Sequence, residues 1–376
     1  MSTTSIAIVG GGIAGLSVAY RLASVGHKVT VIDPTPGFGA THAAAGMLAP
    51  ASEVNFSEIQ LLQLMQQSNQ LWPEFASLIE ADSNISIGYR TEGTIVIGYD
   101  QSDAQELERT SEFQKEFGIE VKRLTRTELK ELEPALTSPL SFAALISSDR
   151  QVDNRLLVKG LLGALNKHNV KFVAKTVSAI SPRTKNVYQI TLSDDTVILP
   201  EIIVLAPGAE LDAITGLPRV LYNTVRPVKG QIIRADSPRP DMITHVIRAL
   251  VEGKGVYLVP RLNREVVIGA TQEEVGFNST ARIRPISEML TNAIMVVPEL
   301  GEADFREHLV RFRPGSIDNG PIVGQYGTSN LFLSLGHFRH GILISAAISK
   351  YLASLIDSGK MPSEIAPFGI DRISGS

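Results

Sequence analysis

The chain has 376 residues, with 35 Lys and Arg against 39 Asp and Glu for a formal charge of −4, and no cysteine. The missing cysteines exclude disulfides, thiolate nucleophiles, zinc–thiolate sites and iron–sulfur clusters. A mildly acidic chain without a basic run argues against nucleic acid as the main partner. The composition is that of an ordinary globular protein, and the length suits two domains or one with an insertion. Glycines or Lys350 interrupt every apolar stretch before the ~18 residues of a membrane span. The N-terminus, MSTTS, has no positive region and makes a poor signal peptide. A cytoplasmic globular protein is the expectation.

Ile6 to Val9 reads as a buried parallel strand, three glycines follow, and Ile13 to Ser24 has helical spacing. Lys28 to Ile32 is the next strand, ending at Asp33, which completes a βαβ unit. Residues 34–50 are loop-like, and 58–80 have helical periodicity. Segments 85–90 and 93–98 resemble a strand pair, while 102–117 and 126–132 are helical. Asp153 opens an amphipathic helix to 166. Four short strand-like runs fill 170–205, the last ending in APGA. Residues 228–235, 244–250, 256–260 and 265–269 alternate as in an antiparallel sheet. A helix over 283–297 precedes strands at 321–323 and 331–334. The turn GHFRHG leads into the last helix, 342–356. Residues 51–140 and 275–305 carry no recognisable motif.

The spacing Gly10-x-Gly12-x-x-Gly15 is weak alone. Here it follows a strand, opens a helix and is answered by Asp33 at the end of the next strand, which is the context a dinucleotide site requires. Gly10 permits the turn, Gly12 lets backbone approach a pyrophosphate, and Gly15 lets helix and strand pack closely. Asp33 suits a ribose without a 2′-phosphate. These residues do not separate NAD from FAD. Ala44-Ala45-Gly46-Met47 adds a small-residue loop where a flat ring can lie, and Gly208 ends a further strand. The fold class is α/β: a Rossmann-like dinucleotide-binding domain (NAD or FAD) with an interleaved α+β substrate domain built on an antiparallel sheet. The first is expected to take residues 1–85, 141–220 and 318–376, the second 86–140 and 221–317.

IVGGGIAGLSVAYRLA, HAAAGMLAP, IIVLAPGA, RPVKGQ, YLVPR, VVIGAT, FRPGSIDNGPIVG and GHFRHGIL occur in this order. With them the chain resembles the D-amino-acid-oxidase superfamily of FAD flavoproteins from residue 5 to about 357, and within it the glycine oxidases of thiamine biosynthesis. The resemblance implies noncovalent FAD. It puts Ile13 and Ala14 at the pyrophosphate, Asp33 and Pro34 at the ribose, and backbone of Val177 at the adenine. Ala40, Thr41, Ala45, Gly46 and Met47 would touch the flavin. His337, Phe338, Arg339, His340, Gly341, Ile342 and Leu343 would wrap the ring. Tyr257, Arg313 and Arg339 would hold the substrate.

A guanidinium fork suits a substrate carboxylate, which supports the choice of Arg313. The implied reaction is oxidation of an amine alpha to a carboxylate, with dioxygen reduced to hydrogen peroxide and no catalytic acid or base from the protein. The expected partners are a small amino-acid substrate and dioxygen; a homo-oligomeric state is left open. His337 and His340 lack a third ligand, so no metal is expected. His42 lies one residue from the position where some relatives attach flavin, which Ala43 fills. The alternatives are a D-amino-acid dehydrogenase feeding a quinone or carrier protein, an RNA-modifying flavoprotein, and a non-catalytic flavin-binding protein.

Overall fold

The structure, a computed structural model, describes residues 4–53, 56 and 58–374. Two large sheets dominate it. The first has six strands in the order Ile322–Gln325, Leu331–Leu335, Ile202–Leu205, Ser5–Val9, Lys28–Ile32 and Lys171–Val173. All neighbours are parallel except the first pair. Its inner strands are nearly continuous runs of Ile, Val and Leu because helices and a small sheet cover both faces. The helix Gly341–Ser358 packs on the helices Ile13–Ser24 and Ile59–Ser83. By length and hydropathy it alone among the described helices could cross a membrane, contrary to the expectation that no stretch would; here it is a core element.

The second sheet has eight strands: Asp304–Ser316, Val225–Asp236, Glu265–Gly269, Lys254–Pro260, Val246–Val251, Thr94–Gly98, Phe142–Ile146 and Lys122–Arg123. Helix Ile283–Val296 covers one face through Met289, Ala293 and Val296. The strand Phe142–Ile146 belongs to this sheet, although its residues fall in the 141–220 segment expected in the first domain.

Three local expectations change. Residues 85–90 form no strand with 94–98. The Ile87 N–H is taken by the Glu80 carboxylate and its carbonyl by the Asp153 N–H, so no ladder can form there. Segment 170–205 holds five strands, not four. The loop 34–50 contains a helical turn, Ala40–Ala43, and a short strand, Met47–Leu48. The long strand Asp304–Ser316 was visible only at its end, because its exposed edge carries charged residues that break the alternation.

The glycine turn follows from packing. Gly10 has φ +103°, and a Cβ there would overlap the Ala206 carbonyl. A Cβ on Gly15 would overlap the carbonyl of Gly10, so strand and helix approach closely only with glycine.

Candidate active site

A cleft of about 730 Å³ is lined by residues of both large sheets. On the first side lie Gly10, Gly12, Ile13 and Ala14, then Asp33 and Pro34 at the end of the second strand. The helix that begins at Ile13 has no side-chain cap and no acidic residue in its first turn. Thr41 Oγ1 accepts the Ile13 N–H at 3.0 Å; the rest of the helix end is a ready site for phosphate. Asp33 accepts the N–H groups of Gly11 and Thr35, each at 2.7 Å, which fixes its carboxylate at the cleft wall. Val177 and Gly208 line the same side.

Ala40, Thr41, Ala45, Gly46 and Met47 form the middle of the wall. Their loop is held from behind. Asn154 donates to the carbonyls of Thr41 and His42 at 2.7 and 2.9 Å, and Arg261 donates to that of Ala45 at 2.5 Å. Gly46 has φ +74°, and a Cβ there would overlap the Val152 carbonyl. His337, Phe338, Arg339, Gly341 and Ile342 complete the wall. His337 is buried with Nε2 3.1 Å from Ser334 Oγ, and burial lowers its pKa to about 4, so the ring is neutral. Its Nδ1 is a buried polar atom without a partner among the described residues. An uncapped helix end, a fixed carboxylate, a small-residue wall and an unpartnered ring nitrogen together fit a dinucleotide flavin.

Three residues expected at the cofactor do not line the cleft. Gly15 packs beneath the turn. His340 is buried behind the wall with Nδ1 3.5 Å from Glu53 Oε2. Leu343 is turned into the core, where its carbonyl accepts from Ser68 Oγ at 2.6 Å and Trp72 Nε1 at 2.7 Å.

Tyr257 and Arg313, on the eight-stranded sheet, and Arg339, in the turn Phe338–His340 before the last helix, line the same cleft. Tyr257 lies over Gly269, its partner across the ladder, where a Cβ would overlap the phenol ring. Burial raises the pKa of the phenol above the ordinary value although Arg313 beside it works the other way, so it stays protonated. Arg313 Nη1 donates to the Thr271 carbonyl at 3.0 Å.

Arg248 also faces the cleft, directly across from Tyr257. It pairs with Glu53 at 2.7 Å, and Arg339 contacts Glu58 at 3.4 Å. Arg313 has no carboxylate partner among the described residues. Of these three guanidiniums it is the one whose charge awaits an anion. Burial would raise the Glu53 carboxyl, but Arg248, His340 and Arg339 hold it at about 2. A carboxylate that acidic is too weak a base to take a proton from an amine. Glu53 and Arg248 escaped the sequence reading; the only signal was Arg248 in an alternating strand.

The chain matches the FAD dependent oxidoreductase (DAO) family over residues 5–355. It belongs to that family. It is 30% identical to a glycine oxidase of Geobacillus kaustophilus, over 98% of this chain and 97% of the relative. It is also 30% identical to a bifunctional ThiO/ThiG protein of Trichormus variabilis, over 98% of this chain. The chain spans about half the length of that bifunctional relative. The crystal structure of glycine oxidase from Geobacillus kaustophilus superposes with a TM-score of 0.88 at 29% identity, covering 98% of this chain and 99% of that one. The family's cofactor is FAD, and the mixed fold with parallel and antiparallel sheets is that of its glycine oxidase members.

Proposed function

We propose that this protein oxidises small amines that carry an α-carboxylate: glycine, sarcosine and small D-amino acids. The imino acid formed hydrolyses to the oxo acid, dioxygen is reduced to hydrogen peroxide, and the glycine imine feeds thiazole formation in thiamine biosynthesis. The observation that carries this reading is Arg313, a cleft guanidinium with a phenol and a carbonyl as neighbours and no carboxylate among the described residues.

The residues divide the work. Arg313 takes the substrate carboxylate on its planar fork, and the Tyr257 hydroxyl adds a neutral donor beside it. Each charge-assisted bond contributes roughly 1.5–3 kcal/mol. The Arg339–Glu58 pair closes the same end without adding net charge. His337, neutral and buried, keeps a fixed dipole at the opposite wall. Bound FAD supplies the hydride acceptor and passes the electrons on to dioxygen. No side chain is assigned as general acid or base, so the amine must enter unprotonated.

A peroxide-release screen across glycine, sarcosine, D-alanine and D-proline tests the reading. Peroxide with at least one of them is expected. Reduction of an artificial acceptor without peroxide would instead assign a dehydrogenase. No turnover with either acceptor would remove the oxidase assignment.

A further inference from the structure

Tyr257 leans over Gly269 toward Arg313. On its other side the same strand face continues with Gly255, which lines the cleft, and no atom lies within 4 Å of where its Cβ would stand. Across the ladder, Arg248 faces Tyr257 and Leu250 faces Gly255, while Val96 on the next strand is level with Arg248. Leu107, from helix Gln101–Glu116, also lines this end. The cleft therefore runs on past the carboxylate anchor into a space with a bare floor, Val96, Leu107 and Leu250 on its sides, Glu106 and Thr110 also in its lining, and a guanidinium at its head.

Arg248 uses Nη1 to bind Glu53, its one hydrogen-bonding partner among the described residues. Its side chain is 28% exposed, so its other donors are open to the cleft. Charge decides what they can receive. Arg248 and Glu53 cancel, as do Arg339 and Glu58. Of the two cleft arginines without a carboxylate partner among the described residues, Arg311 reaches to the Phe38 carbonyl, and Arg313, beside Tyr257, is the one charge at this end for one carboxylate. A second carboxylate at Arg248 would sit beside Glu53 with no spare cation, and like charges in a partly desolvated site repel strongly. A neutral carbonyl oxygen accepts from the same donors without that repulsion.

We propose that Gly255 and Arg248 form a second substrate compartment that takes an uncharged, hydrogen-bond-accepting extension. The enzyme thus favours monocarboxylate amines ending in an amide over the isosteric dicarboxylates. This inference rests on Arg313 holding the α-carboxylate.

The test compares kcat/KM of the FAD-loaded enzyme for two isosteric pairs, D-glutamine with D-glutamate and iminodiacetate monoamide with iminodiacetate. Glycine is the reference. At least one pair is expected to favour the amide tenfold or more. Glu53→Gln removes the competing carboxylate and frees Arg248 for an anion, so that ratio should fall toward one or invert. Gly255→Phe fills the floor and should lower kcat/KM for the favoured amide at least tenfold relative to glycine. Flavin absorbance and thermal unfolding establish that each variant is folded and loaded. Equal turnover of amide and acid in both pairs overturns the compartment, as does a ratio that survives Glu53→Gln. So does a set of extended amines that are neither oxidised nor compete with glycine. Glycine oxidation in those cases leaves the carboxylate-anchor reading standing; that reading fails separately if Arg313→Ala leaves glycine kinetics intact.

Discussion

The guanidinium of Arg313 lies against Gly230 on the neighbouring strand, where a Cβ would come within 2.5 Å of Nη1 and 2.7 Å of Cζ. The glycine thus creates the berth for the charge. Gly230→Ala is expected to displace the fork and lower glycine kcat/KM by about tenfold, the cost of ~1.4 kcal/mol. FAD content should stay normal. Gly301→Ala, where a Cβ meets nothing within 4 Å, serves as the control and should leave kinetics untouched. Wild-type kinetics in Gly230→Ala would mean that Arg313 is not held where substrate needs it.

Arg313 itself gives the larger effect. Truncating one partner of a desolvated ion pair costs ~2–5 kcal/mol, so Arg313→Ala should lose about 30-fold or more in glycine kcat/KM. Arg313→Lys keeps the charge without the planar fork and should recover part of the loss. An amine without a carboxylate should be turned over equally by wild type and variant. A fall of less than a few-fold for glycine, with FAD bound, would make Arg313 structural.

The parts of this site that could be read from sequence are those whose chemistry is local. Gly10, Gly12 and Asp33 lie within one βαβ unit, and Arg313 stands in a motif at a strand end. Glu53 and Arg248 are 195 residues apart, and only the register that sets Arg248 opposite Tyr257 brings the pair to the cleft. The GHFRHGIL block shows the limit within a motif. Contiguous residues look equivalent on paper, but helix geometry turns Gly341 and Ile342 toward the cleft and Leu343 toward Trp72. Likewise the edge strand Asp304–Ser316 hid behind its charges, since exposure removes the alternation that marks a strand.

Asp33 should govern cofactor retention rather than substrate choice. Its carboxylate is fixed by the Gly11 and Thr35 N–H groups. Asp33→Ala loses a charge-assisted bond of roughly 1.5–3 kcal/mol, so FAD should bind about 10- to 100-fold more weakly in titrations of apoprotein. Relative kcat/KM values at saturating FAD should not change. Wild-type FAD affinity in the variant would show that the ribose is held elsewhere.

The flavin should be released by acid. No cysteine exists to attach it, and His42, one residue from the attachment position weighed in the sequence, does not line the cleft and stacks on Phe38 with ring centroids 4.9 Å apart. Precipitation with acid should leave a yellow supernatant and a colourless pellet. Colour retained in the pellet would identify a covalent link, and His42→Ala would then be the variant to make.

Asp149 ties stability to pH. It is fully buried and accepts the N–H groups of Ala51 and Ser52 at 3.1 and 3.3 Å, next to Glu53 at the cleft. Burial raises its pKa from 3.8 to about 6, although the bonds from the Ser52 and Ala51 N–H groups restrain the rise. A carboxyl whose folded pKa lies above its unfolded one favours the folded state while protonated. The folded chain therefore holds a proton that the unfolded chain has lost between pH 3.8 and about 6, and stability falls as pH rises through that window. Two pH units correspond to ~3 kcal/mol. Asp149→Asn keeps a side chain of similar shape that does not titrate. Relative to the variant, the wild type should lose ~2 kcal/mol between pH 4 and pH 7.5 in urea unfolding, since the unfolded carboxyl is already about half titrated at pH 4. Groups common to both proteins cancel in this difference. Parallel stability profiles for the two proteins would mean that Asp149 titrates like an exposed carboxylate and does not tie the Ala51–Ser52 turn to pH.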